Sequence, residues 1–126
     1  MTQEDKELLL IDLSARWPYG VKGIITYDES NTAFTVEGID NNVLHLSDAE
    51  ECYIEDFKPY LRPMSSMTKE ERYVYHFYCD YYYGNYFDTV GSIDWLNKNM
   101  FDYRGLIKKG LALEAPKGMY NIIKEK

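Results

Sequence analysis

Apolar residues recur at helical spacing near the start of the chain. They alternate with polar residues through the middle, then return to helical spacing from about residue 68. Leu9, Leu10 and Leu13, widened by Leu8 and Ile11, predict a helix over 2–14 with Thr2 as its cap and Asp5 at the third position. It must end before Trp17-Pro18, because proline disfavours helix in the residue before it. VKGIITYD (21–28) is rich in β-branched residues and reads as a strand. After the turn cluster ESNT, TAFTVEGI (32–39) alternates, with Phe34 and Val36 on one face. DNN (40–42) is the next turn. VLHLS (43–47) points Leu44 and Leu46 inward, and CYIEDF (52–57) reads as a fourth short strand. KPYLRP (58–63) is too proline-rich for a strand interior. The expectation is three or four antiparallel strands in a small curled sheet, a meander or an SH3-like barrel.

Met67-Thr68-Lys69-Glu70-Glu71 holds a capping box, with Thr68 as N-cap and Glu71 reaching back. A helix should run over 69–80 and break near Gly84-Asn85. A second should begin near Ser92 and cover IDWLNKNM. Further turns are expected at Gly105 to Lys109, with Gly110 as a C-cap. Strands followed by helices define an α+β protein. The chain reads as a single domain, with a helix-plus-sheet part over 1–63 and a helical part over 64–126.

The stretches IEDFKPYLRPMSSMTKEE and IDWLNKNMFDYRGLIKKGLALEAPKGMYN resemble a family of small uncharacterised proteins encoded by gut bacteria and by the phages and mobile elements they carry. The resemblance covers roughly 54–72 and 93–121. It implies a phage or mobile-element setting, in which small acidic proteins act by binding host proteins. The family has no established activity, so the resemblance transfers no catalytic or binding residue.

Composition narrows the function. The net charge is −7 and the pI is near 4.8, which argues against direct binding to a nucleic-acid backbone. The opening MTQEDKELLL carries acids where a signal peptide has basic residues, and its apolar run is too short to span a membrane. Cys52 and Cys79 form no CxxC and read as reduced thiols, so a cytoplasmic location is expected.

Chemistry-bearing patterns are sparse. His76 and Cys79 sit three apart on a helix, but His45 and Cys52 would have to join them from the sheet, and no spacing supports a metal site. No catalytic residue and no cofactor is expected. Ser65-Ser66 before a helix reads as turn-making, and neither GxSxG nor a phosphate-binding loop occurs. Asp48, Glu50, Glu51, Glu55 and Asp56 form an acidic run that reads as surface. Asp94 reads as a first-turn acid of its helix, and Arg104 with Lys108-Lys109 as cations near a helix end.

The unusual feature is 16% aromatic residues, mostly 13 tyrosines, crowded around YCDYYYGNYF (78–87). On a helix, Val74, Tyr78 and Tyr81 form one stripe, with Tyr82 beside it. Tyr73 and Phe77 form a second, and Tyr75, Cys79 and Tyr82 a third. The helical rings from Tyr73 to Tyr81 are expected in the core. Tyr82, Tyr83 and Tyr86, with Tyr75 and Phe87, are the candidate binding surface. No Lys or Arg occurs between Tyr73 and Asn97, whereas Asp80, Asp88 and Asp94 do. Base stacking comes with cations, so nucleic acid is disfavoured. A non-catalytic protein that binds a protein partner, or a second copy of itself, fits best. One alternative is carbohydrate binding or glycoside cleavage, with Asp80 or Asp88 as acids. Another is an acidic inhibitor or mimic directed at a nucleic-acid-binding protein.

Overall fold

The computed structural model describes residues 1–79 and 89–120. Helix α1 spans Gln3–Arg16, and the Thr2 hydroxyl accepts the Asp5 amide at 3.0 Å, as the cap pattern predicts. Its buried face is Leu9, Asp12, Leu13 and Arg16, so an acid and a base share the leucine stripe. One turn of 3-10 helix at Trp17–Tyr19 follows. It closes on Gly20 at φ 85°, a left-handed conformation that glycine adopts at no steric cost.

Six strands form one sheet: β1 Lys22–Ile25, β2 Phe34–Asp40, β3 Val43–Leu46, β4 Glu51–Tyr53, β5 Phe57–Leu61 and β6 Leu113–Glu114, in the order β4-β3-β2-β1-β5-β6. Neighbours are antiparallel except β5 and β6, which are parallel. The expected three or four antiparallel strands are therefore too few. β2 changes register between Val36 and Gly38, which lets it bend while Val36 and Ile39 both reach the core.

The added strands have physical reasons. A turn of 3-10 helix at Ile54–Asp56 ends the β4 segment early, and the chain re-enters the sheet as β5 through Pro59. The Thr26 amide bonds the Asp56 carbonyl at 2.8 Å. Alternation along the ladder then places Pro59, opposite Gly23, in a non-hydrogen-bonded pair, where β1 asks for no donor. The proline is harmless at that register. β6 is two residues long and carries no pattern of its own. It is held by Leu61, whose carbonyl accepts the Ala115 amide at 2.8 Å.

Gly23 is required where it stands. A Cβ there would overlap the Phe57 ring and the Lys58 carbonyl, so the ring packs against β1 only because nothing projects from it. Phe57 is fully buried with Leu9, Leu13, Val21, Leu44 and Leu61 in the main core. Helices α2 (Lys69–Cys79) and α3 (Thr89–Lys98) pack on each other over a smaller cluster of Met67, Leu96 and Phe101.

α1 and the segment after α3 meet at a buried charge network. Arg16 and Asp12 have no exposed surface. Arg16 Nε donates to Asp12 Oδ2 at 2.8 Å, and Nη2 donates to Asp12 Oδ1 at 3.1 Å and to the Phe101 carbonyl at 2.7 Å. Arg104 Nε adds a bond to Asp12 Oδ1 at 3.1 Å, and both guanidinium groups lie over the Tyr103 ring. Next to Phe101, Asp102 accepts the Leu106 and Ile107 amides at 2.8 and 2.9 Å and shapes the loop that ends at Gly110. Asp12→Ala would leave Arg16 buried without its carboxylate, at a cost of about 3–5 kcal/mol in urea unfolding. Asp12→Ala/Arg16→Leu should lose less than the single variant, because no lone charge remains buried.

Candidate functional site

α2 begins as its sequence predicts. The Glu71 amide bonds Thr68 Oγ1 at 3.1 Å, and Glu71 Oε1 accepts the Thr68 amide at 2.9 Å. The same carboxylate takes Arg62 Nη2 at 2.7 Å. Burial pushes the Glu71 pKa up, but the bonds from Arg62 and Thr68 outweigh it and hold the carboxyl below its usual value.

Arg62 then fixes which side of α2 faces inward. Its guanidinium lies 4.1 Å from the centre of the Phe101 ring. Phe101 stacks on Trp95 at 5.6 Å, and Trp95 stacks on Tyr75 at 6.1 Å. One cation and three rings thus run from the end of β5 to the middle of α2. The inward stripe of α2 is Glu71, Tyr75 and Tyr78, all half-buried.

The opposite side is open. Tyr73 is 77% exposed and Phe77 is 53% exposed, four residues apart on one face, and Val74 beside them is also exposed. The expectation that Tyr73 and Phe77 belong to the core is therefore wrong. Three aromatic stripes competed for the inward position, and the choice depends on which ring meets Trp95, a tertiary contact with no local signal. Val90 of α3 adds a further exposed apolar side chain.

Of the residues singled out from sequence, Tyr75 is half-buried with its ring on Trp95. Tyr82, Tyr83, Tyr86 and Phe87 lie outside the described residues, as do Tyr81, Asp80, Asp88 and the Gly84-Asn85 break. Asp94 is exposed and stands in the middle of α3 rather than in its first turn, because the helix begins at Thr89. Ser66 donates to the Pro63 carbonyl at 2.6 Å, a turn-making role. Arg104 is drawn to Asp12 and so leaves the basic spot expected with Lys108 and Lys109.

The remaining chemistry is subdued. Cys52 faces the core while His45, on the neighbouring strand, is exposed, so the two sit on opposite faces of the sheet. Burial, then the nearby Asp56 charge, push the Cys52 thiol up to about 12, which keeps it a thiol at neutral pH. Among the described residues, no group of three or more His, Cys, Asp or Glu is placed to hold a metal ion, and no helix is long and apolar enough to cross a membrane.

Compared with family models, curated proteins and solved structures, the chain finds no match. The site therefore rests on its own geometry. A carboxylate held below its usual pKa stabilises the fold above its unfolded pKa, near 4.3, and loses that contribution as pH falls through the lower folded value. Wild type should consequently lose more stability than Glu71→Gln between about pH 5 and pH 3, as measured by urea midpoints across that range.

Proposed function

We propose that the protein is a small, non-catalytic interaction protein that engages a protein partner through the outer face of α2. Tyr73, Val74 and Phe77 form its described centre. On sequence grounds the surface extends to Tyr82, Tyr83, Tyr86 and Phe87, which follow in the chain. Tyr75 belongs to it as a support, since its ring holds α2 on Trp95.

The carrying observation is the exposure of Tyr73 and Phe77 on a helix whose other side is already packed. Rings left in water on one face, with the helix held rigid from behind, suit a protein contact. Tyrosine offers large contact area with few torsions to freeze, and the supporting stack reduces the ordering cost on binding. We also read the sheet as SH3-like. The order β4-β3-β2-β1-β5 and the single 3-10 turn between β4 and β5 support that reading.

The test compares proteins captured from the native host by wild type, Tyr73→Ala/Phe77→Ala and a control, Tyr27→Ala, at another exposed ring. Anchor rings at an interface are worth about 2 kcal/mol or more each, so the double variant should lose at least one partner that both others retain. Its thermal midpoint should match wild type, because neither ring packs in a core. The same captured set from all three proteins counts against the α2 surface.

A further inference from the structure

β4 is the last strand on its side of the sheet. The Ile54 amide bonds the Asn42 carbonyl and the Leu46 amide bonds the Glu50 carbonyl, both at 2.8 Å, so these pairs bracket the β3–β4 ladder. Alternation in an antiparallel pair then turns the Cys52 main chain toward β3 and the Glu51 and Tyr53 main chains away from it. Each of those two presents an N–H and a C=O to a side where no strand pairs among the described residues.

The charged side chains of β4 and its flanks are acids. Between Lys22 and Lys58 the chain has no Lys or Arg. Glu50, Glu51 and Glu55 are exposed along β4 and its flanks, and Asp56 follows. Across the outer face, Asp40, Val43 and Tyr53 form one cross-strand row, and Gly38, His45 and Glu51 form the next. Tyr53 is 59% exposed. One cation approaches: Lys6 Nζ lies 3.9 Å from Glu55 Oε1.

Charge decides which strand can use this edge. Pairing with a second copy about Cys52 would set Glu51 of each chain opposite Tyr53 of the other and crowd Glu50, Glu51 and Glu55 of both chains along one seam, where acids repel without facing cations to offset them. A short, charged edge is how sheets avoid pairing with themselves. The same acids favour a strand that carries cations.

We propose that the β4 edge accepts an extended Lys- or Arg-bearing segment of a partner protein as an added strand. Its main chain bonds Glu51 and Tyr53, its cations face Glu50, Glu51 and Glu55, and the Tyr53 ring covers an aliphatic stem. This surface lies on the sheet and does not depend on the outer face of α2.

The probe is the peptide Lys-Thr-Lys-Val-Lys-Thr-Lys, titrated into the isotope-labelled full chain and followed by amide chemical shifts. Shifts should centre on Glu51 and Tyr53 and shrink as salt is added. The peptide with Glu at every Lys position should produce none. Tyr53→Pro removes only the outward amide. Tyr53 has φ −74°, which proline shares, and the β3–β4 bonds at Cys52 do not use that amide. The variant should bind about tenfold more weakly than Tyr53→Val, which keeps the amide. If Tyr53→Pro does not fold, a peptide N-methylated at the residues facing β4 applies the same test from the other strand. The proposal is overturned if the Lys peptide shifts a different surface, if the acidic peptide binds equally, or if removing the paired amide leaves affinity unchanged.

Discussion

The Asp12–Arg16 pair sets how the parts of this molecule meet. Two ions without exposed surface sit one helical turn apart on α1, on the stripe that its leucines would otherwise fill. A buried ion pair is not in itself a strong source of stability, because desolvating both partners offsets most of their attraction. Its value is directional. Arg16 has to find the Phe101 carbonyl, and Asp12 has to find Arg104, so the segment after α3 can dock on α1 in only one register. Hydrophobic contact alone would tolerate sliding.

From that anchor the order spreads through one residue. Phe101 offers its carbonyl to Arg16 and its ring to Arg62 and Trp95, so backbone and side chain fasten two different neighbours. The small cluster under α2 and α3 has few fully buried residues. The rings stacked beyond it reach to Tyr75 and hold α2 with one face turned outward. What α2 exposes thus follows from what Arg62 and Phe101 hold from behind.

Much of this was legible in the sequence. Thr2 and Thr68 cap as their patterns say, and alternation identifies Phe34, Val36, Leu44 and Leu46 as inward, though the register change after Val36 brings Ile39 to the core as well. What escaped has a common cause. Pro59 is acceptable because of its pairing partner, β6 exists because Leu61 receives it, and Arg16 is buried where Asp12 and the Phe101 carbonyl bond its Nε and Nη2. Each depends on a residue distant in sequence or on a ladder register, which local pattern does not carry. The aromatic stripes of α2 show the same limit. Spacing sorted the rings into faces, but the contacts of Arg62 with Glu71 and of Trp95 with Tyr75 decide which face is covered.

Tyr120 carries a consequence for how the chain is made. Its hydroxyl accepts the Lys22 amide at 2.9 Å and donates to the Tyr60 carbonyl at 2.7 Å, joining β1 to β5 across a separation of 98 residues from Lys22. On a ribosome, β1 and β5 emerge before that ring does. Until it arrives, the Lys22 amide lacks this partner. Loop closure over such distances is slow, and arrangements rich in distant pairings fold late. Synthesis order therefore makes the Tyr120 bonds later than the emergence of both strands they join.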